Sequence, residues 1–321
     1  MTDDAPIVLA APADYGLLCT KGKQLLLDAG YRIRENPYDR PLSPAELAEY
    51  AADVSAVISG VEVWDAAAMD HAPKLRIICK LGVGLDNFDL DAATERDIAI
   101  TNAPGGNANA VAEFAVGLMI SVLRHMATGN RAARTGDWTR FVGHELEGRE
   151  VGLVGFGRIA QTLARRLRGF DLRLRAYDPA PNRDAAAELG VELAELDDVL
   201  AGSDIVSLHL PSTPQTRRFV DAAFLDRMRD GAYLVNTARG ALVDEDALVA
   251  ALRNGKLAGA ALDVFEHEPL PATHPFTEMP NVVITNHMAA DSHEAYEQIG
   301  LINARAVLDV LADRVPANKA N

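Results

Sequence analysis

Val151-Gly-Leu-Val-Gly155-Phe-Gly157-Arg-Ile-Ala160 reads as a buried strand that turns through glycine into a helix. Gly155 permits the tight turn, and Gly157 lets the backbone come close to a pyrophosphate. Ala160 stands where a small residue lets helix and strand pack closely. The helix start at Arg158 and Ile159 supplies free N–H groups and partial positive charge to a diphosphate. Asp178 follows 21 residues after Gly157, just beyond the next strand-like run, Leu172 to Tyr177. A carboxylate there can hold a ribose diol and would repel a 2′-phosphate. Together these residues predict a dinucleotide site for NAD rather than NADP.

Three later segments carry side chains suited to acid–base and carboxylate chemistry. They are Val235-Asn-Thr-Ala-Arg239-Gly-Ala-Leu-Val-Asp-Glu, Ala261-Leu-Asp263-Val-Phe-Glu-His-Glu268-Pro269 and Asn281-Val-Val-Ile-Thr-Asn-His287. Each follows a strand-like run, which places it at the edge of a doubly wound sheet where ligands bind. With Lys80-Leu-Gly82-Val-Gly84-Leu-Asp-Asn87 and Asn102-Ala-Pro104-Gly-Gly-Asn107, the chain resembles the D-isomer-specific 2-hydroxyacid dehydrogenase family over nearly its whole length. It is most similar to the 3-phosphoglycerate and hydroxypyruvate dehydrogenase branch.

The resemblance implies an NAD-dependent oxidoreductase that moves a hydride between nicotinamide and C2 of a small 2-oxo or 2-hydroxy acid. Such a reduction needs a proton donor at the carbonyl oxygen, and an imidazolium at His287 can donate near neutral pH. Glu268 matches the family's carboxylate partner, which raises the imidazole pKa and fixes the ring. Arg239 matches the anchor for the substrate carboxylate, a task for a planar donor fork. Backbone N–H groups at Val83 and Gly84, with Lys80 nearby, match the family's carboxylate-binding loop. Asp263 is expected beside the nicotinamide amide, and Pro211, Thr216, Thr237 and Ala238 are the remaining expected cofactor contacts. The other seven histidines show no metal-ligand spacing, and no metal site is expected.

Two departures from the family bear on the substrate. Members acting on 3-phosphoglycerate commonly carry basic residues after the third strand, whereas Ile58 and Glu62 stand in Val57-Ile-Ser-Gly-Val-Glu-Val-Trp64 here. Glu62 beside a phosphate dianion is unfavourable, so a substrate without a terminal phosphate is expected. After the third segment the family often has Pro-His and then glycine, whereas this chain reads Asn286-His287-Met288-Ala289-Ala290-Asp291. The alternatives are a 3-phosphoglycerate dehydrogenase, a formate- or phosphite-type dehydrogenase, or an NAD-sensing corepressor-like binding protein.

These residues need a scaffold, and the apolar runs supply one. Ile7 to Ala11, Ala56 to Ser59, Leu75 to Cys79 and Ile98 to Thr101 read as strands separated by helices, with Ser43 and Pro44 as cap and first turn. A long helix spans Asn107 to Met126, and the strand–helix alternation restarts at Glu150. It continues through strands at 205–210, 232–236, 258–262 and 282–285 before a final helix from Ser292 to Leu311. The prediction is α/β: two doubly wound parallel-sheet domains, a flavodoxin-like substrate domain and a Rossmann NAD domain, with a cleft between. The substrate domain takes residues 1–102 plus 289–321 and the NAD domain 103–288. The chain crossings near Thr101 to Pro104 and His287 to Asp291 are expected hinges.

With 321 residues, 49% hydrophobic and 24% charged, the composition fits a two-domain globular chain. The net charge of −15 opposes nucleic acid and anionic membranes. No apolar run reaches the roughly 18 residues a membrane span needs. The acidic start Met1-Thr-Asp-Asp4 does not look like a signal peptide, and Cys19 and Cys79 are too few for a disulfide framework. A cytoplasmic location follows as the expectation. The resemblance also implies a homodimer, formed through the long helix and the segment around Trp138, and no regulatory amino-acid-binding domain is expected.

Overall fold

The computed structural model describes residues 5–321, and the acidic run Met1 to Asp4 lies outside the described residues. Two compact units emerge, one made of Met1–Asn107 with Asp291–Asn321 and the other of Ala108–Ala290.

The first unit is built on β1 (Ile7–Ala10), β2 (Arg32–Glu35), β3 (Ala56–Ser59), β4 (Ile77–Lys80) and β5 (Ala99–Thr101), all parallel in the order β2-β1-β3-β4-β5. The central strands β1 and β3 are buried at every position, as expected where helices cover both faces of a parallel sheet. The helix Pro44–Ala51 starts where the sequence signals it. Ser43 and Glu46 form a reciprocal capping box, and Pro44 sits in the first turn. The final helix, His293–Leu311, packs on the helix Thr20–Asp28 and on β4. The residues behind it lie along the free edge of β5, where Ala320 N–H donates to the Ile100 carbonyl at 2.8 Å.

The second unit carries β6 (Glu150–Val154), β7 (Arg173–Tyr177), β8 (Glu192–Leu193), β9 (Ile205–Leu208), β10 (Ala232–Asn236), β11 (Leu257–Leu262) and β12 (Val282–Ile284). Its order, β12-β11-β10-β9-β6-β7-β8, reverses direction between β6 and β9. Such a switch point opens a crevice at the carboxyl ends of the strands. The helix Arg158–Leu167 buries Ala160, Leu163, Ala164 and Leu167, a stripe at helical spacing. Full burial of each leucine contributes about 2 kcal/mol. Both units are the doubly wound α/β sheets read from the sequence.

Two elements differ from the reading. The helix expected from Asn107 to Met126 ends at Leu123. His125 adopts a left-handed conformation (φ 53°), and a second helix, Met126–Arg134, begins. Among the described residues no single helix is long and apolar enough to cross a membrane. The strand β2 had no apolar signature, because Arg32-Ile-Arg-Glu35 is a half-exposed edge strand with polar side chains.

Candidate functional site

The glycine turn sits at the switch point of the second sheet. Gly155 has φ 94°, and a Cβ there would stand 2.7 Å from the His209 carbonyl oxygen at the end of β9. Only glycine fits both constraints. Gly157 caps the helix Arg158–Leu167 in an extended conformation, and a Cβ placed on it would meet nothing within 4 Å. Open space in front of a helix N-terminus is what a diphosphate requires. Asp178 stands beyond β7, with Oδ2 accepting the Phe156 N–H at 2.7 Å and Oδ1 accepting the Ala180 N–H at 2.8 Å. The carboxylate is thereby held against the glycine turn. These residues fit an NAD molecule laid across the switch point.

Around the same carboxyl edge, the loop after β9 is tied by Thr216. Its hydroxyl donates to the Pro211 carbonyl at 2.7 Å and accepts the Thr213 N–H at 2.8 Å. After β10, Asn236 Nδ2 donates to the Arg239 carbonyl at 2.9 Å and Asn236 Oδ1 accepts the Ala238 N–H at 3.0 Å. The buried amide thus shapes the turn 237–239. The Thr237 hydroxyl is buried there and makes no hydrogen bond among the described residues. His209, the neighbour of Gly155, is pushed down to about 4 by burial and pairs with the Ser207 hydroxyl at 3.0 Å.

The three polar residues singled out after β10, β11 and β12 meet in this unit. Glu268 Oε2 lies 2.7 Å from His287 Nδ1, and Glu268 Oε1 accepts the Phe265 N–H at 2.9 Å. The hydrogen bond to Glu268 raises the His287 pKa above its ordinary value, against the opposing effects of burial and of the Arg239 charge. Burial pushes the Glu268 carboxyl up. The bonds from His287 and Phe265 outweigh it and leave the group below its usual range. Gly240 lets the Arg239 turn approach the Glu268 loop, since a Cβ on it would overlap the Phe265 carbonyl. Arg239 itself is extended, with Nη1 donating to the Ala238 carbonyl at 2.7 Å.

His287 has φ 55°, a left-handed conformation that a non-glycine residue holds only when its surroundings enforce it. The enforcing group is Asp263. Its carboxylate is fully buried and accepts the Thr285 hydroxyl at 2.6 Å, the Met288 N–H at 3.0 Å and the Ala289 N–H at 2.8 Å. The Asp263 carbonyl accepts the His287 N–H at 2.8 Å. Sequence reading placed Asp263 beside the nicotinamide; the structure gives its oxygens to the loop that carries His287. These contacts were hidden from the sequence because two of the three donors are backbone groups, which residue types do not announce.

In the first unit, Gly82, Val83 and Gly84 follow β4. The Val83 and Gly84 N–H groups donate to no atom among the described residues. Lys80 Nζ donates to the Gly60 carbonyl, lies 3.3 Å from Asn87 Oδ1 and sits 5.7 Å from the Phe88 ring centre. The structure corrects the reading of Ile58 and Glu62 as substrate-facing. Ile58 lies on a strand covered on both faces and is fully buried. Glu62 turns inward, where Oε2 accepts the Ser59 hydroxyl at 2.9 Å and the Gly60 N–H at 2.8 Å. Its charge stabilises the turn that ends in buried Trp64, and the outward side chains are Val61 and Val63. Among the described residues no three His, Cys, Asp or Glu side chains group to hold a metal ion.

The family model for the D-isomer-specific 2-hydroxyacid dehydrogenase NAD-binding domain matches residues 116–289. The chain belongs to that family. A glyoxylate reductase of Thermofilum pendens is 41% identical over 291 residues, covering 88% of this dehydrogenase and 86% of the relative. A D-3-phosphoglycerate dehydrogenase of Archaeoglobus fulgidus is 40% identical over 258 residues, 80% of this chain and 49% of that one. The present dehydrogenase therefore spans about half the length of that relative. The structure of Escherichia coli D-lactate dehydrogenase matches with a TM-score of 0.87 at 28% identity, covering 98% of this chain and all of that one. This chain is accordingly an NAD-dependent oxidoreductase of 2-hydroxy acids.

Proposed function

We propose that this dehydrogenase reduces a small, unphosphorylated 2-oxo acid of the glyoxylate and hydroxypyruvate class to the corresponding 2-hydroxy acid. The His287–Glu268 pair carries this reading, because the hydrogen bond raises the imidazole pKa and favours the proton-donating form within the nucleotide-binding unit. NADH supplies the hydride to C2. His287 gives its proton to the carbonyl oxygen as that oxygen gains charge, and its half-exposed ring takes a proton back from solvent. Glu268 holds the ring by Nδ1 and leaves Nε2 to donate. Arg239 binds the substrate carboxylate and polarises the carbonyl. On the family resemblance, the Val83 and Gly84 N–H groups of the first unit serve as substrate-carboxylate donors, with Lys80 at the end of the preceding strand. Asp178, Gly155, Gly157, Arg158 and Ile159 hold the dinucleotide, with the turns at Pro211 to Thr216 and Thr237 to Ala238 flanking it.

The glyoxylate reductase activity named for relatives supports an unphosphorylated substrate. The exposed apolar side chains Met126, Trp138, Phe141 and Val142 support a homodimer formed through residues 126–142. The test is NADH consumption with glyoxylate, pyruvate, hydroxypyruvate and 3-phosphohydroxypyruvate. Turnover of glyoxylate or hydroxypyruvate with the highest kcat/KM is expected. A clear preference for the phosphorylated acid would overturn the assignment.

A further inference from the structure

In the loop after β4, the carbonyls of Gly82 and Val83 are both hydrogen-bonded. The Gly82 carbonyl accepts the Ala103 N–H at 2.8 Å, and the Val83 carbonyl accepts Asn102 Nδ2 at 2.7 Å. Two residues before Gly82, the Lys80 carbonyl accepts Asn303 Nδ2 at 3.1 Å. In a planar trans peptide the carbonyl and the following N–H point in opposite directions. A pinned Gly82 carbonyl therefore aims the Val83 N–H, and a pinned Val83 carbonyl aims the Gly84 N–H. Asn102 is pinned in its turn, since its own carbonyl accepts Asn318 Nδ2 at 2.5 Å from the segment that lies beside β5.

We propose that Asn102 is a positioning residue for substrate: its side-chain amide orients the Val83–Gly84 peptide so that the Gly84 N–H points at the substrate carboxylate. The inference rests on the reading of Val83 and Gly84 as carboxylate donors. Asn102 touches no reacting atom. Replacing it with alanine lets the peptide plane rotate, and replacing it with aspartate sets an acceptor against the Val83 carbonyl. A donor lost to a charged group weakens binding of that group by about tenfold or more.

The experiment compares Asn102→Ala, Asn102→Asp and Gly84→Pro by the KM for glyoxylate, the inhibition constant of oxamate (an isostere of pyruvate), kcat and the dissociation constant of NADH. The expected result for both Asn102 variants is a rise of about tenfold in KM and in the oxamate constant. NADH affinity should stay within twofold and kcat within threefold, a split that general loss of structure does not produce. Gly84→Pro, which removes the donor itself, should act in the same direction. If Gly84→Pro weakens oxamate while both Asn102 variants bind it within twofold of the parent, the positioning role is wrong and the loop reading stands. If Gly84→Pro leaves oxamate affinity unchanged, the loop reading fails and takes the inference with it. Should the alanine variant not fold, the aspartate variant keeps the side chain's size and reads the same constants.

Discussion

Nδ1 of His287 lies 2.7 Å from Oε2 of Glu268, and the other carboxylate oxygen is held by the backbone N–H of Phe265. A carboxylate fixed from both sides cannot swing away from the imidazole. The histidine is therefore stabilised in its charged form, and the form that donates a proton persists to higher pH than a free histidine allows.

The sign of the resulting pH dependence follows from that shift. Reduction needs the imidazolium, so kcat/KM for the 2-oxo acid stays high at low pH and falls as pH rises through the raised His287 value. Glu268→Gln removes the largest cause of the shift while burial and the Arg239 charge still act downward. The alkaline limb of the reduction profile should then move to lower pH. A profile that keeps its limb in the variant would show that another group sets it.

Arg239 offers a second test, because its role depends on shape as well as charge. Lysine keeps the charge but loses the planar fork that meets a carboxylate with two parallel bonds. For Arg239→Lys the expected outcome is a fall of about a hundredfold in kcat/KM, a loss of about 3 kcal/mol of transition-state binding. NADH affinity, read by fluorescence titration, should change little. Near-parental kcat/KM would place the carboxylate elsewhere.

How much of this was legible in the sequence depended on which atoms do the work. The strands β1, β3 and β6 and the glycine turn were readable because apolar runs and glycine spacing carry them, whereas Arg239, Glu268 and His287 were singled out through the family resemblance of their segments. The strand β2 was missed because an exposed edge needs no apolar pattern. The helix break at His125 was missed because a left-handed residue in a polar stretch leaves no compositional mark. Glu62 misled because its place after the third strand reads as facing the substrate, while here two donors from Ser59 and Gly60 make its burial tolerable.

Asp178 yields a third prediction, about the cofactor. Its carboxylate already accepts the Phe156 and Ala180 N–H groups, and Asn keeps an acceptor for one of them while removing the charge. In Asp178→Asn the repulsion of a 2′-phosphate disappears, and one acceptor for the ribose diol is lost. The ratio of kcat/KM for NADH over NADPH should fall at least tenfold, measured with a single 2-oxo acid. An unchanged ratio would mean that some other group excludes the phosphate.

Asp263 separates holding a catalytic residue from touching the cofactor. Its buried carboxylate accepts three donors, and the segment it holds contains His287 at φ 55°. Asp263→Ala leaves the Thr285 hydroxyl and the Met288 and Ala289 N–H groups without their acceptor. Each unsatisfied buried donor costs about 1–3 kcal/mol. With partial relief by entering water, a net loss of about 3 kcal/mol is expected, seen as a lower urea midpoint with an unchanged slope. Asp263→Asn has one oxygen left, and its new N–H₂ faces a donor, so it should recover only part of that loss. Both variants should lose kcat, because the His287 backbone is no longer held in its left-handed conformation. NADH affinity decides between the two roles: it stays close to the parental value if Asp263 acts on the loop. It drops along with stability if the carboxylate also meets the nicotinamide amide.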